Sequence, residues 1–100
     1  MQITKLIDRT PIGYEKISIT ELAVSRLDAT LRVCSRAVFC TVEDVAIRYR
    51  IDGGDPDQND GHVIIAGSNL WLNEPHSIDD LRMIAVGVAV TSTVIVTFYF

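Results

Sequence analysis

Basic and sulfur-containing residues are scarce in this sequence. Its 100 residues include 9 Lys and Arg against 13 Asp and Glu, a net charge of −4, and only 2 cysteines. Recognition of nucleic-acid phosphates needs clustered Lys and Arg, so this balance argues against a nucleic-acid partner. Cys34 and Cys40 fit neither a CxxC redox pair nor a four-ligand zinc site, and we expect free thiols.

The familiar catalytic motifs are missing as well. The sequence has no Gly-x-Ser-x-Gly, no Walker phosphate loop and no dinucleotide-binding glycine pattern. His62 and His76 lie 14 residues apart, and neither has a Cys or a second His at metal-ligand spacing. We therefore expect a protein without catalytic residues, without a cofactor and without a metal, and not an enzyme.

Targeting signals are absent from the N-terminus, where MQITKLIDRTPIGYEK has no apolar core of a signal peptide, so we expect a protein made in a cytoplasm. Residues 83–100 form an uncharged run of 18 residues, the crude length of a membrane span. Val, Ile, Thr and aromatic residues dominate this run, however, and Thr91-Ser92-Thr93 interrupts it as a turn would. The run therefore predicts two buried strands joined by that turn, and no membrane partner.

The rest of the chain predicts an all-β fold. Short apolar or alternating runs recur about every ten residues between turn-forming residues, as in β-sandwiches and β-barrels. We predict a single β-sandwich or jelly-roll-like domain over residues 1–100, with about seven to eight short antiparallel strands. The strands before the C-terminal run are expected at 14–20, 37–43, 47–51, 62–66 and 70–72.

Three local expectations accompany this fold. Strands 37–43 and 47–51 should form a hairpin turned at Asp44. Residues 77–81 should form one helical turn capped by Ser77. The segment 21–34 is ambiguous, because its apolar residues lie at helical spacing and Ser18 with Glu21 would suit a capping box.

An acidic stretch follows the strand at 47–51. RYRIDGGDPDQNDGH, residues 48–62, places four aspartates within nine residues. Asp55, Asp57 and Asn59 match positions 1, 3 and 5 of a calcium-binding loop, but Asp60 replaces the required Gly and Ala66 the bidentate Glu. General acid–base catalysis would need a desolvated pocket, whereas a Gly-rich polar loop predicts solvation. A structural turn is the favoured interpretation of this stretch.

The same stretch contains candidate interface residues. Arg48 and Arg50 share one strand face, with Asp52 next in the alternation, and they form either solvated ion pairs or a contact surface. Trp71 alternates with two leucines, and it is either a core residue or an exposed contact residue. The residues expected at an interface are Arg48, Arg50, Asp52, Asp55, Asp57 and Trp71.

The run from Ala37 to Ala66 contains a recognisable series of short motifs. A hydrophobic strand ends in V-E, and a segment like I-R-Y-R-x-D-G-x-x-P, a G-H pair and an A-G turn follow it. These motifs occupy Val42-Glu43, Ile47 to Arg50, Asp52-Gly53, Pro56, Gly61-His62 and Ala66-Gly67. In this pattern the run resembles small virion proteins of tailed bacteriophages.

This resemblance implies extended structure for residues 22–33 and a role in assembly. It leads us to expect a non-enzymatic structural protein of the virion, made in the bacterial host cytoplasm. A capsid decoration or cement subunit is the leading interpretation, with other virion proteins as partners: the major capsid protein, or tail and neck proteins. A homo-oligomer is expected. The alternatives are a neck, tail or baseplate component, and a carbohydrate- or receptor-binding module that uses Trp71 with the acidic loop.

Overall fold

The computed structural model describes residues 10–100, which form seven strands and two short helices. The strands make two antiparallel sheets that pack face to face, and the predicted all-β sandwich is confirmed. The larger sheet has the order β1-β7-β2-β5 and the smaller one β4-β3-β6. The elements are β1 (Pro11–Thr20), α1 (Ala29–Cys34), β2 (Ala37–Val42), β3 (Ile47–Arg50), β4 (His62–Ile64), β5 (Asn69–Leu72), α2 (Pro75–Asp80), β6 (Arg82–Ala85) and β7 (Thr91–Tyr99).

The core lies between the sheets and follows from alternation along the strands. On β7, Val94, Val96 and Phe98 are fully buried while the residues between them are half-buried on the opposite face. Ile47 and Met83 bring the smaller sheet into the same apolar cluster. Burial of each such side chain contributes about 1.5–3 kcal/mol, and this burial holds the two sheets together.

The predicted hairpin between β2 and β3 is wrong. β2 pairs with β5 and β7 in the larger sheet, whereas β3 pairs with β4 and β6 in the smaller one. Residues 43–46 cross from one sheet to the other, and β7 of the larger sheet holds the crossing. The carboxylate of Asp44 accepts the backbone N–H of Thr93 at 2.9 Å, and the buried Ser92 hydroxyl donates to the carbonyl of Val45.

The expectation of extended structure over residues 22–33 is wrong for its second half, where α1 begins at Ala29. Asp28 caps this helix, because its Oδ1 accepts the backbone N–H groups of Thr30 and Leu31 at 3.0 and 2.9 Å. The Ser18 capping box does not form, since Ser18 lies inside β1. Only the first half of the segment is non-helical.

The second helix, α2, begins two residues before the predicted helical turn. Glu74 is its N-cap instead of Ser77, and its carboxylate accepts the backbone N–H groups of His76 and Ser77. Pro75 occupies the first helical position, where its fixed φ suits a helix and its missing N–H costs nothing.

The C-terminal run does contain two strands, but its turn lies earlier than predicted. Thr91 to Thr93 belong to β7, whose β-branched residues suit extended structure, and residues 86–90 make the connection from β6. Gly87 has a φ of 136° there, a conformation that side chains rarely adopt. Within residues 10–100, no helix is long and apolar enough to cross a membrane.

Candidate functional site: an arginine-braced acidic loop

The loop of residues 51–61, hereafter the Asp-rich loop, folds against the outer face of the smaller sheet and is held there by Arg48. Because Ile47 points into the core, Arg48 points to the opposite face of β3. Its Nε donates to the carbonyl of Gln58 at 3.1 Å, and its Nη1 donates to the carbonyl of Gly61 at 2.8 Å. Arg48 is therefore committed to the loop backbone.

Gln58 fixes the same loop to the end of β6. Its Nε2 donates to the carbonyl of Ala85 at 2.8 Å, and its Oε1 accepts the backbone N–H of Gly87 at 2.9 Å. Pro56, in the middle of the loop, is buried. The sequence did not point to Gln58, because a single glutamine in a polar loop shows no pattern that distinguishes a side chain bonded to a neighbouring strand from a solvated one.

Arg50 organises the acidic residues at the two ends of the loop. It forms a bidentate pair with Asp52, Nε to Oδ1 at 3.0 Å and Nη2 to Oδ2 at 2.6 Å, and its Nη1 reaches Asp60 at 3.3 Å. The hydrogen bond from Arg50, supported by the N–H of Gly54, lowers the pKa of the Asp52 carboxyl to about 2. Hydrogen bonding to Asp52 likewise raises the pKa of Arg50. Both groups are therefore charged throughout the physiological range.

Two glycines make this arrangement sterically feasible. A Cβ on Gly54 would lie 2.5 Å from Nη2 of Arg50, so a side chain there would push the guanidinium away from its carboxylates. Gly61 has a φ of 123°, and a Cβ on it would approach the carbonyl of Tyr49 to 3.1 Å. These contacts explain why the acidic stretch is rich in glycine.

The remaining loop aspartates have separate structural partners. Asp55 lies 3.4 Å from Nε of Arg82 on β6. Asp57 accepts the backbone N–H of Asn59 at 2.8 Å and so stabilises a tight turn. The residues that match calcium-ligand positions, Asp55, Asp57 and Asn59, are thus engaged in an ion pair and a turn. Among residues 10–100, no three His, Cys, Asp or Glu side chains lie together as a metal site.

A shallow surface cavity of about 430 Å³ lies where the loop meets β3 and β4. Its lining includes Arg50, Asp52 and Asp60, together with His62 at the start of β4. The His62 ring lies 5.2 Å from the ring of Tyr49. Since the charged groups in this cavity are mutually paired, its chemistry suits surface contacts better than acid–base catalysis.

Exposed apolar side chains border the loop. In the described part of the chain, β4 pairs with a neighbour on one side only, which leaves its other edge open. Val63 is 50% exposed beside Arg48, and Ile65, just after the strand, is 64% exposed. We call Val63, Ile65 and the Asp-rich loop the loop-edge surface.

Five of the six expected interface residues therefore lie together, and Trp71 does not join them. Leu70 and Leu72 face the core from β5, so Trp71 lies on the outer face of the larger sheet. There it packs edge to face with Phe39 and Tyr99, at centroid distances of 6.1 and 6.0 Å. A binding site that combines Trp71 with the Asp-rich loop is not formed, because the two lie on opposite sides of the sandwich.

Comparison of the chain with protein families, with characterised proteins and with solved structures found no match.

Proposed function

We propose that this protein is a non-enzymatic structural subunit of a tailed-phage virion, a decoration or cement subunit that binds neighbouring virion proteins. The proposal starts from the resemblance of the run from Ala37 to Ala66 to small virion proteins. The observation that carries it is the loop-edge surface, where an immobilised charged loop borders exposed apolar side chains at an open strand edge.

The composition of this surface supports a protein partner. Protein interfaces combine an apolar centre with a polar rim and are enriched in Arg. Val63 and Ile65 supply apolar area, while Arg50 with its paired aspartates supplies a rim. The open edge of β4 can accept backbone hydrogen bonds from an added strand, which gives affinity without a deep pocket.

Preorganisation supports the same function. Arg48 and Gln58 tie the loop to both neighbouring strands before any partner arrives, so little loop entropy is lost on binding. Repeated contacts of this kind reinforce one another on a particle that presents many equivalent sites. A neck, tail or baseplate position would use the same surface with a different neighbour.

The carbohydrate-binding alternative has less support from the geometry. It required Trp71 and the Asp-rich loop in one site, and they occupy opposite outer faces of the sandwich. A glycan site would therefore have to use one of the two alone.

The test is to purify particles from the phage that encodes this chain and to locate the protein in a reconstruction. We expect ordered copies on the outer surface of the head, with the loop-edge surface against the capsid shell. Density confined to the neck or tail would refute the decoration role, and absence from purified particles would refute the virion function.

A matched pair of substitutions tests the surface itself. Val63→Lys places a charge at the proposed contact, whereas Val33→Lys makes the same change on α1, where the side chain is 72% exposed. Added back to particles that lack the protein, Val63→Lys should bind at least about tenfold more weakly than wild type, as expected for an interface residue, and Val33→Lys should bind normally. Equal binding by both variants would contradict the assignment of this surface.

A further inference from the structure

The direction of the backbone groups along β4 follows from the hydrogen bonds of the smaller sheet. In an antiparallel sheet, successive residues point their N–H and C=O groups alternately to the two sides of the strand. Met83 on β6 exchanges two hydrogen bonds of 2.9 Å with Ser25, so its groups point away from Tyr49, its partner on β3. Tyr49 therefore points to the other side, where it pairs with His62. Val63, the next residue of β4, directs its N–H and C=O groups out of the sheet.

This edge lacks the features by which exposed edges resist an added strand. Residues 61–66, GHVIIA, contain no Lys, Arg, Asp, Glu or Pro. By contrast, β1 at the edge of the larger sheet begins at Pro11, contains Lys16 and has a register shift. Charge, proline and irregular pairing discourage strand addition. Since the far side of β6 already carries the bridge to Ser25, β4 is the edge of the smaller sheet that best suits an extended chain.

Three alternate positions on the outer face of this edge define what an added strand meets. Gly61, Val63 and Ile65 follow the period of two along the strand. Val63 and Ile65 are exposed apolar side chains. Gly61 has no side chain, and together with Asp60 it lines the surface cavity. An added strand therefore meets two apolar positions and then an acidic cavity.

The charge of the Asp-rich loop favours a basic partner. The loop contains four aspartates and no Lys or Arg, and the arginines that contact it are three, so one negative charge is in excess: Arg48, Arg50 and Arg82. Asp60 is 65% exposed and contacts one cation among residues 10–100, at 3.3 Å. Its carboxylate can accept a second. A copy of this chain, with a net charge of −4, is a poor partner here, whereas Lys or Arg is complementary.

We propose that the edge of β4 binds an extended segment of a partner protein, which adds to the smaller sheet as an antiparallel strand. The segment carries apolar residues opposite Ile65 and Val63, and Lys or Arg opposite Gly61, where it contacts Asp60. Because the added strand runs in the opposite direction, these residues occur in the segment in the order apolar-x-apolar-x-basic. The inference deepens the proposed function and rests on it for the identity of the partner, a neighbouring virion protein.

Titration of the full chain with synthetic peptides, followed by NMR of the backbone amides, tests the proposal. The probe is the end-blocked peptide Thr-Val-Thr-Val-Thr-Lys-Thr, whose second valine lies opposite Val63. We expect the largest shift changes at Val63 and Ile65, and slower hydrogen exchange of the Val63 N–H, because a hydrogen-bonded strand protects that group. Glu in place of Lys in the peptide should weaken binding about tenfold at low ionic strength.

Two matched controls separate backbone pairing from charge. N-methylation of the second valine removes the N–H that faces β4 and should abolish binding, whereas N-methylation of the threonine after it places the methyl group on the far side and should not. Asp60→Asn should remove the preference for the Lys peptide over the Glu peptide. Asp55→Asn makes the same change in the same loop outside the cavity lining, and it should keep that preference.

No binding of the Lys peptide at millimolar concentration would overturn the proposal, and so would equal binding of the two N-methylated peptides or of the Lys and Glu peptides. Protection of the Val63 N–H that rises with protein concentration in the absence of peptide would make a second copy the occupant, and would also overturn it. These outcomes are distinguishable from failure of the proposed function. A protein that is absent from particles but binds the peptides as expected would refute the virion function alone. A protein located on heads that does not bind the peptides would refute strand addition alone.

Discussion

Arg48 and Arg50 are equivalent in the sequence pattern, but the structure predicts very different losses of folding stability when each is replaced. Arg48→Met keeps the aliphatic stem and deletes two charge-assisted hydrogen bonds to the carbonyls of Gln58 and Gly61, in a partly buried setting. Hydrogen bonds to a charged group contribute about 1.5–3 kcal/mol each and are not additive, so we expect a loss of about 2–3 kcal/mol. Arg50→Met deletes pairs with exposed carboxylates, which are screened by solvent and contribute little to folding stability.

Urea and thermal unfolding of the wild type and the two variants measure this difference. For a domain of this size, 1 kcal/mol corresponds to about 4–8 °C, so Arg48→Met should lower the melting temperature by about 10 °C or more. Arg50→Met should lower it by only a few degrees, and molar salt should erase that difference. Equal losses of stability, or a larger loss for Arg50→Met, would refute the conclusion that Arg48 is the arginine that holds the Asp-rich loop in place.

Three further outcomes are expected. Because the pKa of Asp52 in the folded protein, about 2, lies below its ordinary value of 3.8, its pairing with Arg50 contributes stability above that value. This contribution is lost as the pH falls toward 2, so Asp52→Asn should flatten the acid limb of a stability–pH curve; an unchanged limb would contradict the pairing. Burial, with a smaller effect of Glu15, raises the pKa of the Cys40 thiol to about 12, whereas Cys34 is exposed. A thiol reagent at mildly alkaline pH should therefore label one cysteine in the native protein and both after unfolding, and Cys34→Ser should abolish native labelling. Asp28→Ala removes the cap of α1 and should cost about 1 kcal/mol in unfolding experiments, while Asp28→Asn, which keeps a capping oxygen, should cost less.

Local patterns located most of the strands. Alternation predicted the core-facing residues of β1, and β-branched and aromatic runs predicted β2 and β7, because burial of one or both strand faces leaves a direct mark on composition. The acidic stretch was also identified as a turn from its glycines and aspartates. The strand ends moved by one to three residues, since edge pairing decides where a ladder stops.

The pairing of strands could not be predicted from the same patterns. The hairpin expected between β2 and β3 failed because Asp44 marks a turn but does not say whether the chain returns to the same sheet or crosses to the other. The helix α1 was hidden for a related reason. Its Asp28 cap has the right residue type, yet six residues are too few for periodicity to be distinguished from irregular structure.

The candidate surfaces divide in the same way. The sequence by itself determined an acidic, strand-rich chain with a turn of four aspartates beside two arginines and a single tryptophan. Only the tertiary structure decided that Arg48 binds loop carbonyls while Arg50 binds carboxylates, and that Trp71 lies on the opposite face from both. The physical reason is that composition and period report which side chains are buried, whereas hydrogen-bond partners and shared faces depend on strands far apart in the chain.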